Sequence, residues 1–205
     1  PFVLRAAGTS ARLQDPTSLP SSSPVLPGAS AIKATTGDAS LADTVREIPG
    51  PAGPLEALLD LPAGSPRVGV VFAHPLPIKG GTMHTKVVFQ SAKALNRIGC
   101  AVLRFNFRGV GRSAGTWDNG RGEMDDYRAA VDFLSGRYPD LEVWAAGFSF
   151  GSYIAMTSGA DDDRICTLIG IAPPVNRYEF ASVKLSTKPK FVVHGESDEL
   201  IPLKA

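Results

Sequence analysis

An α/β architecture, a mostly parallel sheet with helices on both faces, is what this 205-residue sequence predicts. Three observations carry the prediction. From residue 45 onward, short apolar runs alternate with longer stretches of helical spacing, the order expected of repeated β–α units. Several of the runs are continuously apolar rather than alternating, which is the mark of strands covered on both faces. Glycine or proline stands at most junctions, where the chain must turn.

Residues 55–61 form the first expected strand, closed by Pro62 and Gly64, and residues 68–73 (Val-Gly-Val-Val-Phe-Ala) form the next. A helix is expected over 85–98, with Val88, Ala92, Leu95 and Ile98 on one face, and Gly99 ends it. A strand over 101–105 leads into a glycine-rich loop. A second helix follows, on which Met124, Tyr127, Val131, Leu134 and Tyr138 keep helical spacing. Its acids Glu123, Asp125 and Asp126 lie in the first turn and Arg137 in the last, as the helix dipole favours. Strands over 141–146, 167–172 and 190–194, with a helix from 152 to about 159, complete the series. Right-handed crossovers would bring the residues after the strand ends, His74, Arg108, Ser149, Pro173 and Asp198, to one rim, where ligands bind in such sheets.

The length suits one domain with a real core. With 21 basic and 20 acidic residues, nothing electrostatic calls for nucleic acid or an anionic membrane as partner. No apolar stretch is long enough to span a bilayer. Cys100 and Cys166 lack metal-ligand spacing and read as reduced core thiols, so a soluble cytoplasmic protein without a metal is expected. Residues 1–44 are mostly Ala, Ser, Thr, Pro and Gly, with Phe2 the one aromatic. Such a segment cannot offset its ordering entropy and is expected to be disordered. Arg5 and Arg12 before the first acid give it a faint organellar targeting character; a secretory signal is not supported.

The most informative segment is Gly147-Phe148-Ser149-Phe150-Gly151, lying between a strand and a helix. It has the G-x-S-x-G form of a nucleophile elbow, in which a sharp bend lifts a serine hydroxyl above the sheet. Glycines two before and two after remove side chains that would collide as strand and helix close. An ordinary strand–turn–helix junction is the plainer reading of the same five residues.

With these residues assembled, the chain resembles the α/β-hydrolase superfamily, and within it a group of small, capless bacterial-type serine hydrolases. The resemblance runs from about residue 48 to 205. It rests on His74-Pro75-Leu76-Pro77, Gly80-Gly81-Thr82-Met83, the run from Arg104 to Ser113, and Gly147-Phe148-Ser149-Phe150-Gly151. It implies a serine hydrolase with Ser149 as nucleophile and Asp198 as acid. It leaves the substrate open, because the fold hosts many acyl chemistries.

A serine needs a base, and the base an orienting acid. In this superfamily the chain order is Ser, acid, His. Asp198 follows the last strand in the rim loop, with Glu196 and Glu199 as competitors and a solvated surface turn as the plain alternative. None of the three histidines follows Asp198. His194 belongs to a strand end, whereas His74 and His84 could line the pocket or be ordinary structural histidines. The expectation is therefore that the catalytic histidine, with a final helix and strand, lies beyond residue 205. The strand at 190–194 would then be a bare sheet edge, prone to aggregation. The alternative is a non-catalytic binding or scaffold protein of the same fold.

Oxyanion donors are expected from the N–H of Phe150 and from the loop after the early strand, where Pro75 and Pro77 leave Leu76. Gly109-Val110-Gly111-Arg112-Ser113-Ala114 also fits a dinucleotide fingerprint, but such a motif must open a helix, and none begins until about residue 122. A structural loop tied by Arg108 and Arg112 fits better. The reading is a cofactor-independent hydrolase of a small-molecule acyl substrate. The interval 173–189 is too short for a large lid, so the pocket should be open. No motif specifies acyl length, leaving group or oligomeric state.

Overall fold

The computed structural model describes residues 2–7 and 45–202, and its centre is an eight-stranded sheet. The strands are β1 (Phe2–Ala7), β2 (Glu47–Ile48), β3 (Leu55–Asp60), β4 (Val68–Ala73), β5 (Cys100–Phe105), β6 (Glu142–Phe148), β7 (Ile165–Ile171) and β8 (Lys190–Gly195). They lie in the order β1-β8-β7-β6-β4-β5-β3-β2. From β5 across to β8 every pairing is parallel; β1, β2 and β3 pair antiparallel. The helices are α1 (Lys86–Arg97), α2 (Arg121–Arg137), α3 (Phe150–Ala160) and a short α4 (Ala181–Leu185). Among the described residues no helix is long and apolar enough to cross a membrane.

Strand periodicity sorts the core into two layers. Val71 and Ala73 of β4, Leu103 and Phe105 of β5 and Ala145 of β6 face α2 and α3, meeting Tyr127, Leu134, Ile154 and Ala155. Their neighbours Val70, Phe72, Val102 and Ala146 face α1, meeting Val88 and Ala92. Both faces of β4 and β5 are thus consumed, which is why their sequences are unbroken apolar runs. Glycine permits a close helix–sheet approach. At Gly159 of α3 an added Cβ would stand 2.8 Å from Ala145 Cβ and 3.0 Å from Leu168 Cδ2.

Three expectations need correction. The leader was expected to be disordered and β8 to be an open edge. Instead Phe2–Ala7 lies antiparallel along β8, from Phe2↔Gly195 to Ala7↔Lys190. Averaged over 44 positions the leader is poor in strand formers, but its first residues (Phe-Val-Leu-Arg) are not, and an edge offers unpaired backbone groups to such a stretch. Residue 1 and residues 8–44, with the disorder and targeting expected there, lie outside the described residues. The second correction concerns Ile98, expected on the buried face of α1. The helix stops at Arg97, and Ile98, in the turn before β5, is 64% exposed. The third concerns the acids of α2, which do more than complement a dipole. Glu123 and Asp126 are fully buried. Glu123 accepts from the N–H groups of Asp118 (3.0 Å) and Gly120 (2.7 Å), and Asp126 pairs with Arg108.

The packing at Gly159 generates a test in which two effects oppose each other. Alanine is the better helix former by about 1 kcal/mol, whereas overpacking against fixed neighbours costs about 1–3 kcal/mol. Gly159→Ala is expected to lower the urea midpoint; a raised midpoint would show that the helix can move off the sheet.

Candidate active site

At the end of β6 the chain reverses into α3, and Ser149 occupies the bend with φ 52° and ψ −122°. A non-glycine residue adopts that conformation only when its surroundings hold it there. The holding bonds are specific. Ser149 N–H donates to Ile171 O at 2.8 Å, and Ser149 O accepts from Ser152 N–H (2.9 Å) and from Ser152 Oγ (2.6 Å). The flanking glycines are required by contact. A Cβ on Gly147 would collide with the Gly151 carbonyl, and one on Gly151 with the carbonyls of Ala73 and His74. Those obstacles are backbone atoms of packed elements, so neither position tolerates a side chain. As the first residue of α3, Phe150 presents its N–H at the positive end of the helix.

The loop after β4 runs beside the bend, and His74 fixes it from below. His74 is fully buried, with Nδ1 2.7 Å from Pro75 O and Nε2 3.1 Å from Phe107 N. The Phe107 N–H can only donate, so Nε2 accepts and Nδ1 carries the proton. Burial pushes this imidazole's pKa down to about 4. Beyond it, Leu76 O accepts from the N–H groups of Lys79 and Gly81, each at 3.1 Å, closing a tight turn over Pro77–Lys79. Among the described residues the Leu76 N–H has no protein acceptor. Ser149, Phe150 and Leu76 all line one cleft of about 220 Å³, together with Pro174, Tyr178, Leu200 and Ile201.

Asp198 stands after β8, as the sequence suggests, but it lines a neighbouring groove of about 730 Å³ that also holds Phe148, Ile171 and Ala172. Its Oδ1 accepts from the N–H groups of Leu200 and Ile201, both at 2.9 Å, and its Oδ2 lies 3.9 Å from His194 Nε2. That turn is what delivers Leu200 and Ile201 to the serine cleft. Buried His194 ties the same turn back to its strand, with Nε2 2.6 Å from Ile201 O.

Neither histidine expected as a possible pocket wall lines the serine cleft. His74 is spent inside the loop, because both its nitrogens are engaged by backbone. His84 is exposed, in the loop between the Pro77–Lys79 turn and α1. The glycine-rich loop after β5 is a locked structural element. Glu56 accepts from Asn106 Nδ2 (2.9 Å) and Arg112 N–H (3.0 Å), while Asn106 Oδ1 accepts from Met83 N–H (2.8 Å). The bond from the Arg112 N–H, more than any other contact, holds the Glu56 carboxyl below the usual carboxylate range. Arg108 grips Asp126 through Nε (3.0 Å) and Nη2 (2.8 Å). Gly109 and Gly111 have φ of 72° and 57°, and no helix starts between this loop and Arg121, so the dinucleotide reading has no helix terminus to act through. Sequence reasoning missed Glu56 and Asn106, which only the β3–β5 pairing brings together, and Arg177 and Tyr178, which no motif marks.

Comparison with known proteins places the chain in a family. Residues 64–186 match the family described as serine aminopeptidase, S33. An uncharacterised protein of Rickettsia prowazekii is 38% identical over 157 residues, 74% of this chain and 66% of the relative, so the match spans just under two thirds of that protein's length. A solved structure described as an α/β serine hydrolase homologue from Coxiella burnetii is 42% identical. It superposes with a TM-score of 0.74 over 77% of this chain and 76% of its own. Another from Xanthomonas campestris, described as an α/β serine hydrolase without a lid, is 40% identical, with a TM-score of 0.72 over 77% and 73%. The chain belongs to the S33 serine aminopeptidase family of the α/β-hydrolase superfamily.

Buried, neutral His74 makes stability depend on pH. The unfolded imidazole takes up a proton below about 6.5, the folded one only below about 4. This residue's contribution is therefore complete above pH 6.5 and is lost as pH falls toward 4, by about 2–4 kcal/mol. Urea melts from pH 7.5 to 4 should show the loss, and His74→Gln should flatten the difference between the two ends. Parallel pH profiles for both proteins would contradict the account of His74.

Proposed function

We propose that this protein is a serine hydrolase that cleaves a small ester or related acyl compound through an acyl-enzyme. The observation that carries the reading is the strained bend at Ser149, facing the same cleft as two backbone N–H groups. In the proposed reaction Ser149 Oγ attacks the carbonyl carbon as its proton passes to a base. The carbonyl oxygen gains negative charge and takes hydrogen bonds from the Leu76 and Phe150 N–H groups, with the α3 dipole behind the second. Collapse expels the leaving group with the proton, and water then releases the acyl group from Ser149 by the same steps. Asp198 is the proposed orienting acid, and the base is a histidine outside these 205 residues. Asp198 and Phe148 line a groove of about 730 Å³.

One observation favours a second reading, a non-catalytic member of the fold. None of His74, His84 and His194 lines the serine cleft. A fluorophosphonate probe separates the two. The hydrolase reading expects covalent labelling of the purified full-length protein, with the segment that carries the base, and its loss in Ser149→Ala. Labelling that survives the substitution would refute the assignment of Ser149, and no labelling at all would favour the non-catalytic reading.

A further inference from the structure

The serine cleft carries two cations that acyl transfer does not use. We propose that Lys79 and Arg177 form an anion-recognising rim, so that the preferred substrate is a short acyl ester bearing a carboxylate or phosphate; this rests on the hydrolase reading above. The two residues come from separate loops, Lys79 from the turn after β4 and Arg177 from the connection between β7 and α4. Both line the cavity that contains Ser149, and no Asp or Glu lines it.

What distinguishes these two exposed side chains is their shared place on the serine cleft. Arg104, Arg108, Arg112, Arg128 and Arg164 each hold a carboxylate within 4.0 Å. Among the described residues neither Lys79 nor Arg177 does. Asp198, the acid proposed for the triad, spends one carboxylate oxygen on its own turn and lines the adjoining groove. The serine cleft also carries the hydroxyls of Ser149 and Tyr178. Its wall is aromatic, with Phe150 and Tyr178 centroids 5.8 Å apart and Tyr178 stacked on Tyr153 at 4.4 Å. With a net charge of only +1 over the whole chain, two unpaired cations at one cleft are a local feature.

These charges add to the positive end of α3 beneath Ser149. The cavity thus has an apolar wall for a short carbon chain, backbone donors at the reacting carbonyl, and cations at the mouth. At about 220 Å³ it is smaller than usual ligand pockets of roughly 300–1,000 Å³. An anion a few carbons from the scissile bond would reach the rim, where charge-assisted bonds to Arg and Lys are the stronger kind.

Two substrate pairs test this. In one, 4-nitrophenyl pentanoate is set against the 4-nitrophenyl monoester of glutaric acid, which places the charge on the acyl side. In the other, phenyl pentanoate is set against 4-carboxyphenyl pentanoate, which places it on the leaving group. The expected result is a preference in kcat/KM of about tenfold for the charged ester in at least one pair, eroded by 0.5 M salt. In Lys79→Ala/Arg177→Ala that ratio should fall to about one, while Arg128→Ala, outside the cleft, keeps it. Equal rates in both pairs, or a ratio untouched by the double substitution, would overturn the rim. If no ester is turned over, the hydrolase reading fails first. Calorimetry with glutaric acid monoanilide and neutral pentananilide, which require no turnover, then decides the rim alone. Tighter binding of the anion, lost in the double variant, supports it; equal binding overturns it.

Discussion

The close approach of α3 to the strand β4 is the constraint on which the site depends. Gly151 sits so near the carbonyls of Ala73 and His74 that no side chain fits, and Gly147 meets the far side of the same bend. That contact forces the reversal into two residues and leaves Ser149 at φ 52°. Strain of this kind costs of order 1–3 kcal/mol and persists only where packing over-determines it. Here the packing is the central core itself, with Ile154 and Ala155 of α3 buried among Val71, Ala73 and Ala145. The conformation of the serine is therefore bought with the same contacts that stabilise the fold.

A second consequence follows on the β4 side. The loop carrying Leu76 cannot drift from the serine, because His74 beneath it bonds Pro75 O in one direction and Phe107 N in the other. Phe107 in turn begins the glycine-rich loop that Glu56, Asn106, Arg108 and Asp126 lock. A donor aimed at developing charge is effective only if it need not reorganise when the charge appears. Neutral His74, buried and doubly bonded, gives that rigidity without placing a charge beneath the cleft.

What the sequence made legible were features written in contiguous residues. The unbroken apolar runs of β4 and β5, the periodicity of α2 and the glycines about Ser149 each report a local steric or burial requirement. What it hid depends on distant segments meeting. The roles of Glu56 and Asn106 exist only because Asn106 N–H bonds Glu56 O across the sheet. Arg177 and Tyr178 reach the cleft through an irregular stretch with no periodicity to read. Asp198 was found at the expected strand end, but not its bonds to Leu200 and Ile201, which shape the cleft wall. The leader misled because composition was averaged over a length far greater than the six residues that pair with β8. His74 and His84 drew attention as chemically capable side chains, and burial of one and exposure of the other decided otherwise.

The central claim is that Ser149 Oγ and the N–H groups of Leu76 and Phe150 converge on one carbonyl. A crystal structure of the protein after reaction with a small alkyl phosphonate tests it most directly. The account predicts a covalent bond from phosphorus to Ser149 Oγ, with the phosphoryl oxygen about 2.7–3.1 Å from both nitrogens, the range oxyanion donors require. An adduct whose phosphoryl oxygen points away from Leu76 and Phe150, or one formed on another residue, would contradict it.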